Sequence, residues 1–505
     1  MLATTYSGAI IGLECELIEV EVDIGKGQAR FFMVGLPAKE VEESKDRIRA
    51  AILNAGIELP HRRLTVNLAP ADIRKQGSGY DLPIAMGLLL ADGHLKFNTH
   101  DSIFYGELSL SGELRPGSGA LSLAIMARAR GFKKIFLPAA NAAEASLIDE
   151  LEIYPLQNLT QLIGHLAGQS KISPFRINLD KIINHEQKHA FDMAHIKGQA
   201  QAKRALEIAA AGGHNVLLSG PPGSGKTLMA RSLPSILPPM TKGEMLEVTR
   251  IYSVAGLMLG QTSLITQRPF RKPHHTCSSA ALVGGGKVPR PGEISLSHRG
   301  VLFLDEFPEF SRASLEALRQ PLEDGIITVS RAAGTLQFPA SFILIAAMNP
   351  CPCGYATDPD RQCSCTPIKI INYQKKISGP LLDRIDLHIE VPRLNYQELQ
   401  NSKPIATSAD ISSRVATTRT IQNSRFQSSS TITNAEMSPQ EVEKYCPLDP
   451  AAVNILKSAV DKLNLSARSY HRLLKISRTI ADLSGLDRIT SNCLAEALQF
   501  RARIE

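Results

Sequence analysis

A short apolar stretch, Val216-Leu217-Leu218, runs almost directly into Gly220-Pro221-Pro222-Gly223-Ser224-Gly225-Lys226-Thr227, and Leu228 to Leu233 opens a helix. This GxxxxGK[ST] sequence between a strand and a helix constrains the fold more than any other feature of the chain. Its glycines let backbone N–H groups curl around phosphate oxygens, and the helix N-terminus adds its dipole. Lys226 is expected to reach the β and γ phosphates of ATP, and Thr227 to ligate Mg²⁺ through its hydroxyl. The surrounding region must therefore be α/β, with the nucleotide at the C-terminal edge of a sheet.

Two further strands are expected at that edge. Val301-Leu302-Phe303-Leu304 ends in Asp305-Glu306, where Asp305 would hold the Mg²⁺ water shell and Glu306 would polarise the attacking water. Phe342 to Ala347 ends in Met348-Asn349, and an Asn there can bond the γ-phosphate or the lytic water. Three strand tips bearing Lys/Thr, Asp/Glu and Asn describe an ATPase of the AAA+ type. Arg384, in Leu381-Leu382-Asp383-Arg384-Ile385-Asp386, stands where such rings place an arginine finger acting on the neighbouring subunit, with local pairing to Asp383 or Asp386 as the alternative. Arg468 is the choice for a phosphate-sensing arginine in cis, with Arg472 as the fallback.

The 505 residues suffice for three or four domains. Residues 1–168 read as a mixed α/β module, 169–190 as a polar linker, 191–399 as the ATPase core, 400–437 as a polar connecting segment and 438–505 as a helical bundle acting as a lid. Within the first module, strands are expected at Val20–Ile24, Ala29–Val34 and Leu64–Leu68, with helices at Ala38–Ala55 and Asp81–Ala91. A hydrophobic share of 43% excludes global disorder, and 5% aromatics without Trp argue against a base-stacking or carbohydrate platform. The net charge of +7 permits an anionic partner without requiring one. No run is long enough for a membrane span, and the first basic residue is Lys26, so a cytoplasmic protein is expected.

Other motifs carry a closer resemblance. Arg268-Pro269-Phe270-Arg271-Lys272-Pro273-His274-His275-Thr276, Ala281-Leu282-Val283-Gly284-Gly285-Gly286 and Pro289-Arg290-Pro291-Gly292-Glu293-Ile294-Ser295-Leu296 are similar to the magnesium-chelatase-type AAA+ family. With Val34-Gly35-Leu36-Pro37 and Asn67-Leu68-Ala69-Pro70-Ala71-Asp72, the chain resembles the ComM (YifB-like) competence family over essentially its whole length. The resemblance implies an ATP-driven ring, a hexamer by expectation, that moves branch points of DNA during the recombination of natural transformation, free of sequence preference and working beside recombination proteins. It also implies a Lon-protease-like fold for the first module. A Lon protease needs a serine and an activating lysine. The turn Gln76-Gly77-Ser78-Gly79 has the serine, but Arg115 to Leu121 has no lysine for it, so this module is read as non-proteolytic.

Two features depart from a simple motor. Cys351-Pro352-Cys353, nine residues, then Cys363-Ser364-Cys365 suit structural, tetrahedral Zn²⁺, although C-x-C is tighter than the usual spacing and a redox pair or reduced thiols are the alternatives. Loss of these thiols is expected to disturb the loop after Asn349 and spare the phosphate loop. The second feature is a pair of insertions, Gly284 to Lys287 and a hairpin over Thr328 to Gln337, which in AAA+ helicases of the MCM type line the ring's channel. Lys287 and Arg331 are then the DNA phosphate contacts, an exposed surface arginine being the alternative for Arg331. A magnesium-chelatase-like motor working through partner subunits remains the second functional reading.

Overall fold

The computed structural model describes residues 2–183, 190–258, 264–286, 289–331, 334–358, 361–395, 406–429 and 431–501. Two units are distinguished by their internal contacts: Met1–His185 with Thr241–Thr266, and Glu186–Met240 with Gln267–Glu505. By these contacts Thr241–Thr266, which lies inside the expected 191–399 core, groups with the first unit. Within that segment Thr241 accepts from the Glu244 N–H and Glu244 returns the bond, a reciprocal cap that starts the Lys242–Val254 helix. The helix buries Met245, Val248, Ile251 and Val254.

The first unit is built on a seven-stranded mixed sheet. Its spatial order is Phe31–Val34, Arg63–Ala69, Glu14–Gly25, Leu2–Ile11, Ser102–Phe104, Lys134–Pro138 and Glu152–Leu156. The Leu2–Ile11 and Glu14–Gly25 strands form a long antiparallel hairpin, closed at Gly12, whose φ of 63° lies in the left-handed region that glycine tolerates. On Glu14–Gly25 the residues Ile18, Val20 and Val22 are fully buried at period two, so this strand has one core face. The Asp81–Ala91 helix is almost wholly buried, which explains its apolar sequence on all sides.

The second unit holds a five-stranded parallel sheet in the order Phe270–Arg271, Val301–Leu304, Ile343–Met348, Val216–Ser219, Leu387–Glu390. Numbered along the chain within this unit, Val216–Ser219 first, the order is 2-3-4-1-5. The phosphate-loop strand therefore has neighbours on both sides. All of Val301–Leu304 and Ile343–Met348 is buried, as expected of parallel strands covered on both faces. The helices Ser408–Arg425, Pro450–Leu463, Ala467–Leu483 and Ser491–Gln499 share one apolar core with this sheet and with the Ala200–Gly212 helix. Buried polar contacts fix their registry: His214 lies 3.2 Å from Asp386 and 2.9 Å from the Thr479 hydroxyl, and Arg425 makes two bonds, at 2.8 and 2.6 Å, to the buried Asp482. No described helix is long and apolar enough to cross a membrane.

Both expected insertions have regular structure where described. Ile326–Arg331 and Gly334–Pro339 pair as an antiparallel hairpin, with Arg331 opposite Gly334 next to its tip. Gly284 and Gly285 pair with Pro291 and Arg290 between the helices Ser279–Val283 and Glu293–Leu296. A Cβ on Gly284 would come within 2.4 Å of the Arg290 carbonyl, so only glycine fits there. Lys287 lies outside the described residues.

Candidate nucleotide site

Local backbone chemistry shapes the phosphate loop before any side chain acts. The Gly220 N–H donates to the Met348 carbonyl at 3.2 Å, and the Val391 N–H donates to Ser219 at 2.7 Å, so both neighbouring strand tips anchor the loop's entry. A Cβ on Gly220 would stand 2.1 Å from the Val391 carbonyl. Gly223 and Gly225 have φ of 79° and 91°, conformations that would strain other residues. Ser224 is buried between them, Pro221 is also buried, and Pro222 is exposed.

Lys226 is also buried, and its Nζ donates to the carbonyls of Gly220 at 2.6 Å and Pro221 at 2.8 Å, and more weakly to Ser224 and to Asn349 Oδ1, each at 3.4 Å. Burial brings its pKa down to about 8, with the Asp305 carboxylate opposing the shift. Thr227 donates to Asp305 Oδ2 at 3.2 Å. The sheet order thus gathers Lys226, Thr227, Asp305 and Asn349 from three strand tips, as the sequence reading expects. Oxygen ligands from Thr227 and Asp305 fit a hard divalent cation such as Mg²⁺.

Glu306 follows with φ 52° and ψ 46°, a left-handed conformation costing a non-glycine residue roughly 1–2 kcal/mol. The side chain remains more than half exposed and meets His275 Nδ1 at 3.0 Å. Lys272 lies 2.8 Å from the same Asp305 oxygen that Thr227 contacts, and its ammonium stands 5.1 Å from the centre of the Phe303 ring. The sequence alone gives Lys272 and His275 no role. Both fall in the Arg268 to Thr276 motif, whose residue types marked a family without showing which carboxylate each would meet. The parallel pairing of Phe270–Arg271 with Val301–Leu302 supplies that answer.

Arg384 and Arg468 converge on one carboxylate. Arg384 donates to Glu323 and, at 2.6 Å, to the Pro380 carbonyl, while Arg468 meets the other Glu323 oxygen at 2.8 Å. Arg384 takes Glu323 as its acid, in place of Asp383 or Asp386. The two guanidinium groups, Arg384 first, hold the Glu323 carboxyl below its usual range. Arg472 instead donates to the Ile385 carbonyl at 2.8 Å, a structural bond.

The four clustered cysteines come together. Their sulfurs all lie within 4.8 Å of one another, with Cys351–Cys353 at 3.3 Å, Cys353–Cys363 at 3.5 Å and Cys351–Cys363 at 3.7 Å. A tetrahedral Zn–S length of about 2.3 Å gives sulfur separations of about 3.8 Å, so the donor set fits a four-thiolate metal site. N–H groups of Tyr355 and Ser364 bring the Cys353 thiol down to about 5. For Cys363 the Cys365 N–H acts in the same direction, but desolvation and the neighbouring thiols outweigh it and raise the pKa to about 12. Such a group of sulfurs becomes fully anionic only against a cation.

In the first unit, Ser78 donates to the Glu107 carboxylate, and among the described residues no lysine bonds it. Lys75 is fully buried and its ammonium donates to the Pro70 carbonyl. The described partner of the serine is thus a carboxylate and not the lysine of a Ser–Lys dyad.

Comparison with known proteins extends these observations. Residues 192–399 match the family described as magnesium chelatase, subunit ChlI; residues 20–141 match that of subunit ChlI of Mg-chelatase; and residues 406–501 match the ChlI C-terminal family. The chain is 45% identical to the competence protein ComM of Haemophilus influenzae, over 100% of this chain and 98% of ComM. Its identity to YifB of Escherichia coli is 41%, over 99% of this chain and 97% of YifB. The magnesium-chelatase 38 kDa subunit of Cereibacter sphaeroides is 26% identical over 32% of this chain and 54% of that subunit.

Proposed function

The chain belongs to the ComM/YifB-like, magnesium-chelatase-type AAA+ family, and from that premise we propose that it is a ring-forming, ATP-driven DNA translocase that promotes branch migration during recombination in natural transformation. ATPase activity follows from the family. The observation that carries the DNA reading is similarity to a competence protein at 45% identity over the whole chain, where the magnesium-chelatase subunits reach 22–26% identity over 32–63% of it.

In this mechanism the loop N–H groups and Lys226 bind the phosphates of ATP, with Lys226 exchanging the Gly220 and Pro221 carbonyls for phosphate oxygens. A divalent cation such as Mg²⁺ would supply positive charge against the charge that develops on the phosphates. Thr227 and Asp305 would hold it, and Lys272 would give up its Asp305 oxygen in doing so. Glu306 polarises the attacking water, and His275 positions the carboxylate. Asn349 aligns the γ-phosphate or the water. Arg384 acts across a subunit boundary and Arg468 within its own chain, so both leave Glu323 when the ring, a hexamer on this reading, is assembled around nucleotide.

The Ile326–Pro339 hairpin and the Gly284–Lys287 insertion would face the channel, where Arg331 and Lys287 contact DNA phosphates without reading bases. The first unit serves as a Lon-protease-like but non-proteolytic assembly or guide domain, the C-terminal helices act as the lid, and the four cysteines hold structural Zn²⁺. The protein works in the cytoplasm with recombination proteins as partners. The three chelatase family matches favour one other reading, a motor for metal insertion through partner subunits. ATPase rate with and without branched DNA separates the two, together with strand exchange on a fluorescent four-way junction. Strong stimulation and unwinding support translocation; a rate indifferent to DNA refutes it.

A further inference from the structure

The cysteine cluster begins two residues beyond Asn349, and the expectation that it would leave the phosphate loop untouched does not survive the geometry. The Gly354 N–H donates to the Cys351 carbonyl at 3.0 Å, closing a turn on the first cysteine pair. Gly354 has φ 89°, and a Cβ there would lie 2.6 Å from Pro222 Cδ, 2.8 Å from its Cγ and 3.9 Å from Asn349 Cγ. The backbone of this turn therefore packs directly on Pro222, the third residue of the phosphate loop, at a distance only glycine allows. Cys351 is fully buried in the same place. After Cys365 the chain forms the Pro367–Gln374 helix and folds back: Gln374 Nε2 donates to the Pro350 carbonyl at 3.4 Å, and the buried Tyr373 bonds the Asn349 backbone. Residues at both ends of the cysteine loop thus brace the asparagine that contacts Lys226.

We propose that the four cysteines form a metal centre that governs nucleotide affinity, by holding the Gly354 turn against Pro222 and so fixing the phosphate loop and Asn349. This rests on the reading of the cluster as a Zn²⁺ site, and it adds a consequence for the ATP site. A closed tetrathiolate locks the relative positions of Cys351, Cys353, Cys363 and Cys365. Without it, the turn's hold on Pro222 depends on backbone bonds alone. The loop must then be ordered when nucleotide binds, and that ordering entropy weakens affinity.

The test uses the full chain purified without chelator, with metal analysis and titration of a fluorescent ATP analogue at constant Mg²⁺. About one equivalent of zinc per chain is expected. Stripping it with a zinc-selective chelator should raise the analogue's Kd at least tenfold, re-addition of zinc should reverse this, and far-ultraviolet circular dichroism should be retained. Gly354→Val, which keeps all four thiols but pushes on Pro222, should bind zinc normally and show a comparable loss of affinity. If zinc is bound yet the Kd changes less than twofold on stripping, the coupling is wrong and the metal reading stands. Normal affinity in a zinc-loaded Gly354→Val variant overturns the route through Pro222. Absence of zinc, with none taken up on titration, overturns the metal centre and the coupling with it. Should the stripped chain lose its dichroism, Gly354→Val in the zinc-loaded state decides.

Discussion

The molecule buries two lysines beside glycine-rich turns, one in each unit, and they do opposite things. Lys226 is surrounded by four oxygen atoms belonging to groups that can find other partners, the loop carbonyls, a serine and an asparagine. Lys75 donates to the Pro70 carbonyl, and its own backbone carbonyl takes the Ala38 N–H at 2.9 Å, so it staples two loops together. Burial lowers the pKa of both, and a nearby aspartate opposes the shift in each, Asp305 for Lys226 and Asp72 for Lys75. Depressed basicity and burial alone do not mark a site. What distinguishes Lys226 is its company: Asp305 and Asn349 come from separate strand tips, while Ser78, three residues after Lys75, turns to Glu107 instead.

The strongest way to sharpen this contrast is to remove the charge of the carboxylate that follows Asp305. Glu306→Gln should lower the hydrolysis rate by about 100- to 10,000-fold while leaving nucleotide affinity within about twofold, since the amide keeps the shape and loses the charge. Steady-state ATPase and equilibrium binding check this together; turnover near the wild-type rate removes Glu306 from the mechanism. Lys226→Met should weaken nucleotide binding by about 100-fold, the loss of one or two charge-assisted hydrogen bonds. Isothermal titration provides the value.

A smaller effect concerns pH. Lys226 loses its proton as pH rises through about 8, whereas bound phosphate favours the charged form. Nucleotide binding above that pH therefore takes up a proton, and the Kd should rise by up to about tenfold per pH unit. In stability the sign is reversed. The folded pKa lies below the ordinary lysine value, so the cost of burying the charge is full below about pH 8 and fades as pH rises from there toward the ordinary lysine value. A flat affinity profile between about pH 8 and 9.5 would contradict a desolvated Lys226. At the other lysine, Lys75→Met should cost about 1–3 kcal/mol by leaving the Pro70 carbonyl unpartnered, with ATP affinity unchanged. Denaturant unfolding measures it, and lost ATP binding would erase the distinction between the two lysines. Ser78→Ala should change stability by less than about 1 kcal/mol and ATPase not at all; a casein-degradation assay should be negative before and after the change.

The phosphate loop was legible because its signals are contiguous: strand, glycines, Lys226, Thr227 and helix occupy neighbouring positions. The Asp81–Ala91 helix was read at its observed bounds because an apolar run of that length between turn residues has few other solutions. The Leu2–Ile11 strand was missed, since Thr5, Ser7 and Ala9 face inward and give little hydrophobic contrast. Lys272, His275 and Glu323 were equally silent, as each acquires meaning from a partner distant in sequence. The approach of Gly354 to Pro222 is of the same kind: a glycine in a cysteine-rich loop suggests a turn, and only the folded chain shows what the turn leans on.

The Thr241–Thr266 segment has a consequence for anyone who would take this molecule apart. In the Lys242–Val254 helix, Arg250 bonds the Leu13 carbonyl at 3.0 Å and Glu14 at 2.8 Å, and Ser253 bonds the buried Glu144. A shortened gene starting near residue 190 would still encode that helix, stripped of the acid and carbonyl groups it answers to and displaying Met245, Val248 and Ile251 to solvent. The complementary fragment, ending near 185, would be left with an open face where the helix belonged. Each unit is built from two separate stretches of the chain, so expressing either alone requires moving Thr241–Thr266 as well as cutting near residue 185.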